Sequence, residues 1–231
     1  MLSGDEWQIV RLSLWVSGIA VLAALPLSVA LAWLLARVRF PGKAIVDGVI
    51  HLPLVLPPVV IGWLLLIAFG LNGPIGSRLH DWFGVGFVFH WTGAALAAAI
   101  MALPLMVRAI RLSIEAVDPR LEGAARTLGA GRWRTFRTVT LPLSVPGIVA
   151  ALVLGFARSL GEFGATITFA GNIPGETRTL PLAIYAQLQV PGMDAAVMRL
   201  AAMSVALSLA ALVASEVLTR RGAFGAGAHV L

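Results

Sequence analysis

Residues Arg120 to Pro142 read RLEGAARTLGAGRWRTFRTVTLP, a polar stretch with five arginines that lies between long apolar runs. Such a stretch cannot lie in hydrocarbon, because its guanidinium and backbone groups would lose their water without replacement. It therefore predicts a loop that projects from a membrane and meets something soluble.

The composition of the rest of the chain supports a membrane protein. The 231 residues are 59% hydrophobic and only 12% charged, with a mean hydropathy of +0.92. That leaves too little polar surface to cover a water-soluble globule. We expect an all-α integral membrane protein in which residues 1–231 form one transmembrane domain. With no cysteine and four scattered histidines, no metal site or disulfide is predicted.

Five apolar segments have lengths near the roughly 20 residues that a membrane-spanning helix needs. They are Trp7 to Leu35, Ala44 to Phe69, Trp91 to Ile110, Val145 to Ala170 and Val197 to Leu218. Of the 17 lysine and arginine residues, 12 fall in the loops on one side of these segments. The positive-inside rule then places the N-terminus outside and the C-terminus and the polar loop, about 111–142, in the cytoplasm. The net charge of +6 follows from this topology, so no nucleic-acid partner is predicted.

Two of the segments contain features that a simple anchor does not need. The second segment carries Pro53, Pro57 and Pro58, each of which kinks or interrupts a helix. Such a break either shapes the packing or lines a translocation path. In the fourth segment, Arg158 and Glu162 are spaced i,i+4 and are expected to pair on one helix. The pair is either a structural salt bridge or a border of the path, where the Thr166 hydroxyl is a further candidate.

The polar loop contains its own helix signals. Asp118 suits an N-cap, Pro119 the first helical position and Gly129 the left-handed position past the end, so Pro119 to Leu128 is predicted to be helical. A second amphipathic stretch, Arg132 to Val139, is predicted to end at Leu141-Pro142. The residue types alone fit either a docking surface for a partner or an interfacial helix whose arginines bind lipid phosphates.

The spacing within this loop resembles the signature loop of ATP-binding-cassette (ABC) importer permeases: Glu-Ala-Ala, three residues, Gly, nine residues, an aliphatic residue, one residue, Leu-Pro. The matching positions are Ala124, Ala125, Gly129, Val139, Leu141 and Pro142. Gly123 stands at the glutamate position, and Glu122 precedes it. The resemblance implies a type I importer permease fold whose coupling helix docks in a groove of a separate ATPase. Its expected coupling residues are Glu122, Gly123, Ala124, Ala125, Leu128, Gly129, Leu141 and Pro142.

Two further stretches, Pro53 to Gly70 and Ala157 to Tyr185, resemble the molybdate branch of these permeases. Sulfate permeases share the Gly-Glu-aromatic-Gly element at Gly161 to Gly164, whereas the run Gly175 to Pro181 favours molybdate. Tungstate has similar size and charge. The resemblance therefore implies a molybdate importer, with tungstate or sulfate as alternatives.

The resemblance also implies the partners. These are two copies of an ABC ATPase that holds ATP and Mg, a periplasmic or lipid-anchored molybdate-binding protein, a second copy of this chain, and membrane lipid. The chain lacks a phosphate-binding Gly-x-x-x-x-Gly-Lys-Ser/Thr loop, so it is expected to bind no cofactor. An intramembrane enzyme or a passive channel is the alternative class, but no protease or hydrolase motif is present. The expected location is the bacterial cytoplasmic (inner) membrane. The path candidates are Arg158, Glu162, Thr166, Pro57 and Pro58.

Overall fold

The computed structural model describes residues 3–84 and 86–227, and side chains up to residue 214. The described residues form helices and no strand. In chain order the helices are α1 (Gly4–Arg37), α2 (Lys43–Val55), α3 (Pro58–Phe69), α4 (Gly76–Phe83), α5 (Trp91–Ala116), α6 (Pro119–Thr127), α7 (Arg132–Thr135), a π-helical turn (Phe136–Thr140), α8 (Leu141–Leu143), α9 (Val145–Leu160), α10 (Gly164–Phe169), α11 (Leu180–Leu188) and α12 (Asp194–Gly227).

Helix α1 is one unbroken helix of 34 residues despite an internal proline, Pro26. It begins at a capping box, in which the Ser3 hydroxyl accepts from the Glu6 backbone N–H and the Glu6 carboxylate accepts from the Ser3 N–H. The predicted first segment, Trp7 to Leu35, lies entirely within this helix.

The core of the bundle is formed by α1, α5 and α9. Small residues allow these helices to approach closely. On α5, Ala94, Ala97 and Ala102 are fully buried. On α9, a Cβ added to Gly155 would lie 2.8 Å from the Met106 side chain, which shows how tightly α9 packs on α5. The run of small residues in the third segment thus serves packing.

Two of the predicted segments are broken. Helices α2 and α3 meet at Leu56 and Pro57 with a bend of 114°, which confirms that the prolines interrupt the second segment. The fourth segment was predicted to be one helix, and this is wrong: α9 ends at Leu160 and α10 begins at Gly164. Gly164 starts α10 in contact with α3, and this distant packing partner leaves no local sequence signal.

Other predicted boundaries also need correction. The third segment does not end at Ile110, because α5 continues to Ala116, where Arg111 pairs with Glu115 along the last turns. The second stretch of the polar loop is helical from Arg132 to Leu143, and the chain bends at Ser144, just beyond the predicted end at Leu141-Pro142. Helices α4 and α11 were not predicted.

Within the residues that the structure describes, three helices are long and apolar enough to cross a membrane: α1, α5 and the Asp194–Ala214 part of α12. Counting each of two bent helix pairs as one span raises the number to 5, which agrees with the predicted number of crossings.

Candidate coupling loop and translocation path

Helix α6 forms as its capping residues predict. The Asp118 carboxylate accepts from the Arg120 backbone N–H at 2.8 Å, and Pro119 occupies the first turn. At the other end Gly129 adopts φ +86°, which a glycine tolerates without steric cost. Its backbone N–H donates to the Arg126 carbonyl, and the next N–H, of Ala130, donates to the Ala125 carbonyl. The observed helix ends at Thr127, one residue earlier than predicted.

The outer face of α6 is small and uncovered by the described chain. Gly123 and Ala124 are exposed, and a Cβ added to Gly123 would meet nothing within 4 Å. Leu128, at the tip, is 88% exposed, and Gly129 beside it is also exposed, while Ala125 is half-buried. An apolar tip next to a nearly side-chain-free surface is suited to close approach by a partner.

Glu122 does not belong to this exposed face. Its side chain points into the loop, where Oε1 accepts from Arg37 Nε at 3.0 Å and from Thr140 Oγ1 at 2.8 Å. Arg126 Nη2 lies 3.7 Å from Oε2. The residue is 7% exposed. Glu122 is one of the expected coupling residues, and its carboxylate is occupied by partners within this chain.

Leu141 and Pro142 lie apart from α6 on the returning helix. They follow the π-helical turn, which ends at Thr140, the residue that contacts Glu122. A π-helical turn inside a helix is rare and is frequent at functional sites. Aromatic rings cover it: Trp133 stacks on Phe136 at 5.5 Å, and Phe136 meets Trp33 of α1 edge-on at 5.8 Å. The matched motif thus consists of an exposed face on α6 and a returning segment that packs against α1.

The two helix breaks lie side by side. A Cβ added to Gly164, at the start of α10, would lie 2.8 Å from the Pro58 side chain at the start of α3. One turn further along α3, a Cβ on Gly62 would lie 2.6 Å from the Ala165 carbonyl oxygen. The structure therefore brings the Pro57-Pro58 break and the Gly161–Gly164 break together. Pro57 itself is exposed.

Arg158 and Glu162 pair as predicted, although not on one helix. Arg158 Nη1 lies 2.7 Å from Glu162 Oε2, and Glu162 Oε1 accepts from the Ala165 backbone N–H at 2.9 Å. The carboxylate thus joins the end of α9 to the start of α10. Glu162 is 3% exposed, whereas the Arg158 side chain is 26% exposed.

The threonines near the break are less accessible. Thr166 is 1% exposed, so its hydroxyl does not line open space in this conformation. The Thr168 hydroxyl donates to the Gly164 carbonyl at 2.9 Å, the back-bonding that is common for this residue type in helices.

Several contacts at the outer ends of the helices were not predicted. Glu6 Oε1 lies 2.7 Å from Arg199 Nη2, and Ser13 Oγ accepts from the Leu180 N–H at 2.7 Å. Glu176 accepts from the Trp91 N–H at 3.2 Å, at the start of α5. These partners are 193, 167 and 85 residues apart, so no local pattern in one sequence could reveal them.

The comparisons with solved structures support the fold. A chain of a bacterial ABC transporter involved in the import of the acidic polysaccharide alginate matches 95% of this chain and 80% of its own length, with a TM-score of 0.74 and 19% identity. The predicted all-α fold of an ABC importer permease is thereby confirmed.

Close relatives match over nearly the full length. The molybdenum transport system permease protein ModB of Escherichia coli K12 is 61% identical over 220 residues, which cover 95% of this chain and 96% of the relative. ModB of Haemophilus influenzae is 58% identical over 216 residues, 94% of each chain. The family described as binding-protein-dependent transport system inner membrane component matches residues 24–222. This chain belongs to that family, which confirms the prediction of an inner-membrane importer permease and not an enzyme.

Proposed function

We propose that this chain is the permease subunit of an ATP-driven molybdate importer that works by alternating access. One observation carries the proposal: a short helix, capped at both ends, presents an uncovered face of Gly123, Ala124 and Leu128 outside the membrane bundle. This helix is fixed by caps at both ends, and its apolar tip, Leu128, is exposed. It is therefore suited to receive force from a soluble partner. That partner is a separate ABC ATPase, which holds the ATP and Mg.

The assembly follows from the sequence, which contains one copy of the loop motif. An ABC importer uses two ATPase copies, and each needs a coupling helix. Two copies of this permease supply both helices and enclose the path between them, which is the usual closed two-fold arrangement. A periplasmic or lipid-anchored binding protein delivers the anion from outside.

The choice of molybdate rests on the relatives and on the motif. Both relatives described above are named as molybdenum transport permeases and are aligned over almost their whole length. The Gly175 to Pro181 run favours the same anion. Tungstate is expected to follow the same route because of its similar size and charge. Sulfate remains the alternative, since its permeases share the Gly161 to Gly164 element.

We place the translocation path along the two adjacent helix breaks. Irregular backbone at membrane depth is tolerated only where protein or a water-filled cavity surrounds it. Arg158 extends from this break with its side chain partly open, and a cationic group there suits a divalent anion. The bend between α2 and α3 and the gap between α9 and α10 are the places where these helices can change direction.

The first test is uptake by the complete complex. Permease, ATPase and binding protein reconstituted in proteoliposomes are expected to accumulate molybdate only when ATP is supplied. Unlabelled tungstate should compete about as well as molybdate, and sulfate at least about tenfold less well. Uptake without ATP would indicate a passive channel, and equal competition by sulfate would overturn the choice of anion.

Variants of the intramembrane pair test the path. Arg158→Ala is expected to lower uptake about tenfold or more, because it removes the open cation and leaves the Glu162 carboxylate buried without its partner. Arg158→Lys retains the charge and should keep at least about a third of the wild-type rate. Glu162→Gln retains an acceptor for the Ala165 N–H but loses the charge. Unchanged assembly and uptake in Arg158→Ala and Glu162→Gln would remove the pair from the mechanism.

A further inference from the structure

One carboxylate in the coupling loop is placed where a protein rarely puts a charge. Glu122 belongs to α6, a helix in an arginine-rich loop, yet its side chain is almost completely buried. A buried carboxylate is costly unless it is paired and hydrogen-bonded, so its partners show what it holds together.

The partners come from the segments that α6 must move. Arg37 is the last residue of α1, and its Nε donates to Glu122 at 3.0 Å. The Nη2 of the same guanidinium donates to the Val117 carbonyl, the C-cap of α5, at 2.9 Å. Thr140 Oγ1, at the end of the π-helical turn, donates to the same carboxylate oxygen at 2.8 Å. The side chains of Glu122, Arg37 and Thr140 thus connect α6 with α1, α5 and the returning helix.

We infer that Arg37 and Glu122 are positioning residues for coupling: they fix α6 to the membrane helices, so that movement of the ATPase is transmitted to the path. They do not contact the ATPase. The inference rests on the proposed function and adds to it, because it names the joint through which α6 acts. Besides this joint, α6 is connected by two short linkers, Val117-Asp118 and residues 128–131, and it packs against α7 and the π-helical turn. The Arg37–Glu122 joint adds the direct side-chain contact with α1.

A positioning role predicts a different combination of effects on ATPase attachment, hydrolysis and import from a purely structural role. Loss of the joint should leave ATPase attachment intact and should lower the number of anions imported per ATP hydrolysed. A residue that only stabilises the fold would instead lower assembly, hydrolysis and import together. The readouts are therefore ATPase retention on the purified permease, the ATP hydrolysis rate, and molybdate uptake in proteoliposomes.

Glu122→Gln is expected to lower the ratio of import to hydrolysis about tenfold, because the Arg37 charge loses its partner. Arg37→Lys keeps a cation for Glu122 but cannot also hold the Val117 carbonyl through a second nitrogen, so the ratio should fall about threefold. The double variant Arg37→Gln with Glu122→Gln removes both charges and leaves amides that can bond each other. The ratio of import to hydrolysis in this double variant should recover to within about threefold of the wild-type ratio.

Glu115→Gln is the matched control, since Glu115 forms an exposed ion pair with Arg111 near the cytoplasmic end of α5, and Arg111 also holds Asp47. The ratio of import to hydrolysis in this variant should stay within about twofold of the wild-type value, as expected for a surface pair.

A wild-type ratio of import to hydrolysis in both Glu122→Gln and Arg37→Lys would overturn the inference, and so would loss of ATPase attachment from Arg37→Lys. If the Glu122→Gln complex does not assemble, the inference is tested by the ratio of import to hydrolysis in Arg37→Lys and in the double variant. Wild-type complexes that fail to import molybdate with ATP would contradict the proposed function instead.

Discussion

Changing Ala124 to glutamate is expected to reduce ATP-driven uptake at least about 100-fold and to release the ATPase from the purified permease. Ala124 lies on the exposed face of α6, and glutamate is a good helix former, so the helix itself should persist. In the docked state the new carboxylate would be buried in the groove of the partner without a counter-charge. Burial of an unpaired charge costs about 3 kcal/mol or more, which corresponds to about 100-fold in affinity.

The control places the same carboxylate elsewhere on the loop. Thr138 is exposed on the π-helical turn, and its hydroxyl bonds only the local Arg134 carbonyl. Thr138→Glu should therefore keep ATPase attachment and uptake within about twofold. Attachment and import that survive Ala124→Glu would show that α6 is not the docking element, and the proposed function would then lose its main support. Co-purification and uptake are measured on the same preparations.

The second large effect is expected from adding one methyl group between the broken helices. In Gly62→Ala the new Cβ would lie 2.6 Å from the Ala165 carbonyl oxygen and 2.8 Å from Thr168 Cβ. Because the nearest atom belongs to the backbone of α10, the clash is relieved only if α3 and α10 separate. Overpacking of this kind costs about 1–3 kcal/mol. We expect uptake to fall about tenfold and the thermal midpoint of the complex to decrease.

Gly18→Ala is the matched control, because it changes the same residue type inside a membrane helix but meets nothing within 4 Å. It should leave both the midpoint and the uptake rate unchanged, since alanine is at least as good a helix former as glycine. Equal behaviour of the two variants would mean that close contact between α3 and α10 is not required for transport.

The sequence predicted what local signals determine. The caps at Asp118 and Gly129 place the ends of α6 to within one residue, and the prolines at 57 and 58 place the first helix break. The ends of α6 and the first helix break depend on the backbone preferences of residues that are adjacent in the chain. They can therefore be predicted from one sequence.

Features that depend on distant contacts were missed or misread. The Arg158–Glu162 pair was predicted from helical spacing, yet the helix stops between the two residues because Gly164 packs against Pro58. The Arg37–Glu122 contact joins residues 85 positions apart. Nothing near Glu122 in the sequence indicates that its side chain is buried, so the motif could not reveal this contact.

Helix α1 is fixed by a side-chain contact at each of its ends. Glu6 bonds Arg199 at the outer end, and Arg37 bonds Glu122 at the inner end. Its 34 residues span about 51 Å at 1.5 Å per residue, and an intact helix hardly stretches. It therefore acts as a spacer of fixed length between the outer surface and the coupling helix. Movement passed between the Glu6–Arg199 contact and the Arg37–Glu122 contact therefore has to shift or tilt α1 as a whole, because the helix cannot lengthen.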